Sequence, residues 1–397
     1  MLQVSERIAN LSESETLAMS QKSAELKAQG MDVINLSVGE PDFFTPQHIK
    51  EAAKKAIDEN YSFYTPVTGY LSLRQAVCNK LKKENNLDYL PNQIVCSNGA
   101  KQCVCNALLC IVNEGDEVLI PTPSWVSYME MVKLAEGKVV TIPSNIEQDF
   151  KITPKQLEAA ITPKTKAIIL CSPSNPSGSV YSKDELQSLA EVLKQHPQII
   201  IIADEIYEHI NYIGKHESIA QFEYLKDRTI IVNGVSKAYA MTGWRLGWLA
   251  APKWIADACN KLQGQYTSAP SSIAQKAAEA AYNGDQTCVE DMRMAFLRRK
   301  NLIVKLAKET EGFKVNDPQG AFYIFPDCSF YLGKSYKGKK IGTSADLAMY
   351  LLEEAHVASV GGVAFGSPEC IRFSYATSDE NITEAMKRVK TALAKLQ

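Results

Sequence analysis

Lys237 lies in the segment Gly234-Val235-Ser236-Lys237-Ala238-Tyr239-Ala240-Met241-Thr242-Gly243-Trp244-Arg245-Leu246-Gly247, where a serine precedes the lysine and an arginine follows among small residues. An amine is a nucleophile only when neutral, a state favoured by partial desolvation and by a nearby cation. A hydroxyl and a guanidinium can together hold a phosphate, and glycine lets a backbone approach an oxyanion closely. The combination points to a lysine joined covalently to a phosphorylated aldehyde.

Other segments carry matching chemistry. Asp204, in Ile202-Ala203-Asp204-Glu205-Ile206-Tyr207, follows an apolar run. A buried carboxylate needs a donor or cationic partner, which a protonated pyridine nitrogen would supply. Tyr207 could donate to a phenolic ring oxygen. Asn175 sits between prolines in Ser172-Pro173-Ser174-Asn175-Pro176-Ser177-Gly178, a pattern that an Asn-Pro turn would also explain. Ser97-Asn98-Gly99-Ala100-Lys101-Gln102 falls between a strand and a helix start, where free amides and the helix dipole suit a phosphate. Neither a dinucleotide fingerprint nor a nucleotide-triphosphate loop is present. Trp125 could stack on a flat ring or simply fill core. Arg372 alternates with apolar residues in Ile371-Arg372-Phe373-Ser374-Tyr375, and its planar fork suits a carboxylate. Gly39, in the Gly39-Glu40-Pro41-Asp42 turn, could let a substrate reach the main chain.

The elements that must position these residues alternate between strand-like and helix-like patterns from about residue 46 to 290. Ile94–Ser97, Asp116–Ile120, Val139–Ile142, Ala167–Cys171, Ile199–Ala203 and Thr229–Val232 read as strands, several of them unbroken β-branched runs. Such runs fit strands buried on both faces of a mainly parallel sheet, hence a doubly wound α/β unit. Gly99–Val112 and Ser124–Ala135 read as helices. Asn175, Asp204 and Lys237 then emerge past the C-terminal ends of three strands, where open α/β sheets bind ligands. After residue 285 a charged helix, Asp291–Thr310, leads to short strands Phe322–Phe325 and Ile371–Tyr375. That part reads as a smaller α+β unit completed by the N-terminal segment.

The chain has 397 residues, 45% of them hydrophobic and 22% charged, enough for a large core. A formal net charge of −2 with no long basic run gives no sign of a nucleic-acid or anionic-membrane surface. No signal-like or membrane-spanning stretch occurs, so a cytoplasmic protein is expected. The ten cysteines include no C-x-x-C pair, and Cys103, Cys105 and Cys110 fall on an apolar helical pattern. Structural thiols, and no metal, are expected.

In order and spacing these segments resemble class I aminotransferases, fold-type I enzymes that use pyridoxal 5'-phosphate (PLP), over nearly the whole chain. The likeness is strongest to the bacterial aspartate aminotransferase subgroup that includes prephenate-using members. It rests on Gly39-Glu40-Pro41-Asp42, Pro123-Ser124-Trp125-Val126-Ser127-Tyr128, Ser172 to Gly178, Asp204-Glu205-Ile206-Tyr207-Glu208 and Ala240-Met241-Thr242-Gly243-Trp244-Arg245. The resemblance implies a large PLP-binding domain over 46–290 and a small domain from 1–45 and 291–397. It also implies roles. Lys237 would hold the cofactor covalently, Asp204 would pair with its ring nitrogen, and Tyr207 and Asn175 would contact its ring oxygen. Trp125 would stack on the ring, and the Gly99, Ala100 and Lys101 amides with Ser236 and Arg245 would hold the phosphate. Tyr64 would reach the phosphate of a partner subunit, which makes the chain half of a homodimer with shared active sites. Arg372, Gly39 and Asn175 would hold a substrate α-carboxylate, and Lys101, Ser14 and Thr16 a second, distal carboxylate.

The expected reaction is amino transfer from L-aspartate to 2-oxoglutarate, with aromatic or prephenate specificity, a PLP-dependent lyase and a non-catalytic regulator as alternatives. The N-terminal segment Leu11-Ser12-Glu13-Ser14-Glu15-Thr16 is more acidic than that subgroup's pattern, and Ser12 stands where prephenate-using members tend to carry lysine.

Overall fold

The computed structural model describes residues 4–397. The short strand β1 (Ile34–Asn35) precedes a seven-stranded sheet made of β2 (Ile94–Ser97), β3 (Glu117–Thr122), β4 (Lys138–Pro143), β5 (Thr165–Cys171), β6 (Ile200–Asp204), β7 (Thr229–Gly234) and β8 (Gly247–Ala250). Across the sheet the order is β2-β8-β7-β6-β5-β3-β4. The pairs β3–β4, β3–β5, β5–β6 and β6–β7 are parallel, whereas β8 runs antiparallel to both neighbours.

The β-branched runs are buried on both faces. Along β6, Ile200 and Ile202 join the cluster that holds Val95, Val118 and Ile230, while Ile201 and Ala203 join the opposite cluster with Leu119 and Ile168. This alternation pins the register, because a slip of one residue would turn both sets around. The C-terminal ends of β5, β6 and β7 therefore lie side by side, with Cys171 paired to Asp204 and Asp204 to Val232.

A second group of elements covers that edge. β9 (Tyr323–Ile324), the hairpin of β10 (Ser335–Tyr336) and β11 (Lys339–Lys340), β12 (Val357–Ala358), β13 (Val360–Gly361) and β14 (Ile371–Ser374) carry it, with helices Thr287–Lys308, Ser344–Ala355 and Asp379–Leu393. β13, β14 and β9 form an antiparallel sheet, and β1 joins β12 in parallel. Their core contains Phe296, Ile303, Phe373 and Val389 together with Val33, Ile34 and Leu36 from the N-terminal segment. Ile206, Tyr207 and Ile210 enter the same core from the far end of β6.

Some sequence expectations need correction. The helix expected over Asp291–Thr310 spans Thr287–Lys308. The helix expected over Ser124–Ala135 spans Ser127–Leu134, the Ser124 amide being taken instead by the Phe365 carbonyl. The strands expected over Phe322–Phe325 and Ile371–Tyr375 pair only at Tyr323–Ile324 and Ile371–Ser374.

Two glycines set how closely the sheet meets the helix Ala100–Ile111. A Cβ on Gly247 would collide with the Ala100 amide nitrogen, and one on Gly234 would lie 2.7 Å from the Gly247 Cα. Gly247→Ala is accordingly expected to push β8 off the helix start and cost about 1–3 kcal/mol. Urea unfolding of the two proteins measures this, and an unchanged midpoint would contradict the packing described.

Candidate active site

A cavity of ≈ 380 Å³ opens at the C-terminal ends of β5, β6 and β7, roofed by the small sheet and the N-terminal helix Glu15–Ala28. Gly39, Ala100, Lys101, Trp125, Asn175, Asp204, Tyr207, Ser236, Lys237, Arg245 and Arg372 all line it, as do Ser14 and Thr16. Gly99 stands at its edge, where a Cβ would overlap the Arg245 guanidinium. Tyr64 does not enter this cavity; it is 99% exposed.

Lys237 follows β7, and its Nζ donates to the Gly39 carbonyl at 2.5 Å. It lies 5.7 Å from the Tyr207 ring centre. No ion-pair partner meets it among the described residues. Burial pulls its pKa down to about 8; the Arg372 and Arg245 guanidinia add to the effect and Glu40 opposes it. The amine is therefore held closer to its neutral form than a solvated lysine would be.

Asp204 ends β6 and is 3% exposed. The Tyr128 phenol donates to its Oδ2 at 2.6 Å, and the Ile206 amide donates to Oδ1 at 3.2 Å. Burial nevertheless pushes its pKa up to about 6, with Glu205 adding to the rise. The carboxylate is thus held ionised at neutral pH by two donors while lacking a cation. Tyr128 also meets Trp125 edge to face, with ring centres 5.4 Å apart, so one phenol braces both the indole and the carboxylate.

Arg372, from β14, is 1% exposed. Its Nη1 donates to Asn175 Oδ1 at 2.8 Å and its Nη2 to the Ser37 carbonyl at 2.6 Å, while the buried Nε has no partner. The guanidinium lies 4.6 Å from the Tyr323 ring centre. Tyr323 in turn shares a 2.7 Å hydrogen bond with Tyr207. A Cβ on Gly39 would lie 2.5 Å from the Tyr323 hydroxyl, so a larger residue there would displace the Tyr323 ring.

Helices opening at Thr153, Ser182 and Thr343 carry side-chain capping boxes. The helix Ala100–Ile111 begins instead after Gly99, at φ +89°, with no side-chain cap. Its first amides are left for another acceptor. The Arg245 guanidinium donates to the Thr242 and Asn98 carbonyls beside them, and Ser236 is buried close by. The array suits a dianion.

Lys101 forms a wall between this cavity and a neighbouring one of ≈ 610 Å³. Its Nζ stands 4.9 Å from the Trp125 ring centre, and burial followed by Arg245 lowers its pKa. Glu13, Glu15 and Ser12 line the outer cavity and not the inner one, so Glu15 faces away from the Lys237 side. Ser12 is tied down by its amide, which donates to Glu130 at 2.8 Å.

Sequence reasoning gave no role to Tyr128 or Tyr323. Tyr128 stands in the segment around Trp125, but its bond to Asp204 joins a helix to a strand end and leaves no local pattern. Tyr323 has no signal either, because Phe322-Tyr323-Ile324-Phe325 is apolar throughout.

The family model for aminotransferase class I and II matches residues 31–389. A Petunia hybrida protein, named as a bifunctional aspartate aminotransferase and glutamate/aspartate-prephenate aminotransferase, is 47% identical over 402 residues, covering 100% of this chain and 84% of its own length. The aspartate aminotransferase of Bacillus subtilis is 46% identical over 396 residues, with 99% of this chain and 100% of that protein covered. The crystal structure of the Rhizobium meliloti aspartate aminotransferase superposes with a TM-score of 0.96 at 44% identity and complete coverage of both chains.

The raised Asp204 pKa has a stability consequence. A carboxyl held above its unfolded value costs nothing below about pH 4, and its cost grows until pH passes the folded value. A rise of roughly two units corresponds to ~3 kcal/mol. The cofactor-free Asp204→Asn protein is therefore expected to be more stable than the parent at pH 8 by about that amount, with the gap closing towards pH 4. Urea unfolding at both pH values tests this, and equal stability at pH 8 would contradict it.

Proposed function

Because this chain belongs to the aminotransferase class I and II family, we propose that it is a PLP-dependent aspartate aminotransferase. It moves the amino group of L-aspartate to 2-oxoglutarate and yields oxaloacetate and L-glutamate in two half-reactions. The observation that carries this reading is the gathering of unpaired charge in one cavity. Lys237, Asp204, Arg372 and Lys101 line the same cavity, none with an ion-pair partner among the described residues, and a ring joined to Lys237 and a dicarboxylate held by Arg372 and Lys101 would supply the missing partners.

The residues present fit pyridoxal phosphate. The Ala100 and Lys101 amides, Ser236 and Arg245 would hold the phosphate on the uncapped helix start. Asp204 would receive the ring nitrogen's proton, Tyr207 and Asn175 would meet the ring oxygen, and Trp125 would cover a ring face. When bound, the group supplies a protonated pyridine that stabilises negative charge at the substrate α-carbon. Lys237 would hold the group covalently. Its Nζ, when free, would carry the substrate α-carbon proton across to the cofactor side, and its lowered pKa favours the basic form this needs. Tyr128 keeps Asp204 charged and in place while this happens.

Arg372 would bind the α-carboxylate. Its buried Nε lacks a partner, and Asn175 and Ser37 already fix the plane of its fork. Lys101 would take the distal carboxylate, with Ser14 and Thr16 beside it; the Thr16 hydroxyl is buried without a partner, as a site awaiting an acceptor would be. The alternative, prephenate use, draws on the name of the Petunia relative. Against it, Ser12 offers the outer cavity a hydroxyl where an ammonium would be needed for another carboxylate.

This reading includes a homodimer, in which Tyr64 reaches the partner's phosphate. Its 99% exposure and the 82% exposure of Phe63 suit residues covered by a second subunit. It also includes a cytoplasmic location, which ten unpaired thiols suit. No described helix is long and apolar enough to cross a membrane.

Lys101→Ser is expected to raise KM for aspartate, glutamate and 2-oxoglutarate at least tenfold, ~1.4 kcal/mol or more. Any activity with phenylalanine or tyrosine should hardly change. Steady-state kinetics over that panel decides the matter, and equal losses for both substrate classes would remove Lys101 from distal-carboxylate recognition.

A further inference from the structure

The turn that carries Asp204 and Tyr207 has a second, hidden side. Each of these residues is followed by a buried glutamate, Glu205 at 3% and Glu208 at 6% exposure, and neither glutamate lines the cavity. Lys80, 4% exposed at the end of the helix Leu71–Lys80, makes an ion pair with Glu208 Oε1. The helix then widens into a π turn over Leu81–Asn85. That wider turn brings Asn85 back beside Lys80. Asn85 accepts from Lys80 Nζ at 2.8 Å and donates to Glu208 Oε2 at 3.1 Å. Glu84 lies 3.5 Å from Lys80 and 2.9 Å from His209 Nε2, and His216 Nε2 lies 3.2 Å from Glu205 Oε2.

Two overlapping triads here, Glu84–Glu208–His209 and Glu205–Glu208–His216, have the composition of a metal site. The shared Glu208 already holds the Lys80 ammonium, so the cluster contains its own cation and a metal ion would be repelled from it. Burial works against an ionised Glu208, yet Lys80, His209 and His216 outweigh it and hold the carboxyl down to about 2. Glu208 is thus charged at every physiological pH. On its cavity side the turn is held by the Ile206 amide on Asp204, the Tyr207–Tyr323 hydrogen bond and the burial of Ile206 and Tyr207, and along its backbone by the Glu205 amide on Val232 and the Glu208 amide on Glu205; on its hidden side the Lys80–Glu208 pair ties it to a separate helix.

We propose that Lys80 is a positioning residue for the reaction, clamping Glu208 and through it the Glu205–Glu208 turn so that Asp204 and Tyr207 face the cavity in register. It rests on the roles given above to Asp204 and Tyr207. Lys80 touches neither the cavity nor anything in it, and acts only through the turn.

Replacing one partner alone would leave a buried charge, so the pair is removed together. Apolar residues of similar volume often replace a buried ion pair at no net loss of stability. The Lys80→Met/Glu208→Met protein is expected to melt, without cofactor, within a few degrees of the parent. Its kcat with aspartate should fall at least tenfold while KM stays within threefold. The pH midpoint of the visible absorbance of the PLP-loaded protein should move by half a unit or more. Glu208→Gln, which keeps the side-chain shape and its bond to Asn85, is run in parallel and should show the same split. Parental kcat and an unmoved midpoint in whichever variant folds would make the cluster a brace for the fold alone and overturn the proposal. Absence of transamination in the unmodified protein would instead sink the functional reading on which it rests.

Discussion

The Lys237 amine, the Asp204 carboxyl and the Arg372 guanidinium face one cavity, and none of them has an ion-pair partner among the described residues. Taking charge out of water without compensation costs several kcal/mol per group. The shifts at Lys237 and Asp204, down to about 8 and up to about 6, register that cost. The same desolvation makes the site useful. It leaves a lysine close to its neutral form, a carboxylate seeking a cation and an arginine seeking an anion, all facing one volume.

Neutral donors and acceptors hold these charges in place. Tyr128 and the Ile206 amide serve Asp204, Asn175 and the Ser37 carbonyl serve Arg372, and the Gly39 carbonyl receives Lys237. Such partners fix direction without cancelling charge, and so the groups remain available to a ligand. The arrangement needs close backbone approach, which explains glycine at 39 under the Tyr323 hydroxyl, at 99 against Arg245 and at 247 against Ala100. The fold brings the pieces together because parallel strands of matched register end at the same edge, and the small sheet closes over it with Arg372.

Much of this was legible in the sequence. The residues around Lys237, Asp204, Asn175 and Arg372 combine unusual chemistry with strand-end placement, and long β-branched runs announce strands buried on both faces. Four residues of β8 were not read as a strand, because Gly-Trp-Leu-Ala carries no period and its pairing with β2 and β7 is set only by the tertiary fold. Tyr128 stood in a recognised segment, yet its bond to Asp204 joins a helix to a strand end and leaves no local mark. The Lys80 cluster is hidden for the same reason: a helix-end lysine reads as solvated until the fold sets it against Glu208.

The central claim is that the Lys237 amine performs the chemistry on a dicarboxylic amino acid held between Arg372 and Lys101. The most direct measurement mixes the PLP-loaded protein with L-aspartate in the absence of any 2-oxo acid and quantifies oxaloacetate per subunit. The account predicts one equivalent from the parent protein and none from Lys237→Ala. Loss of colour without oxaloacetate, or an equal yield from the Lys237→Ala protein, would contradict it.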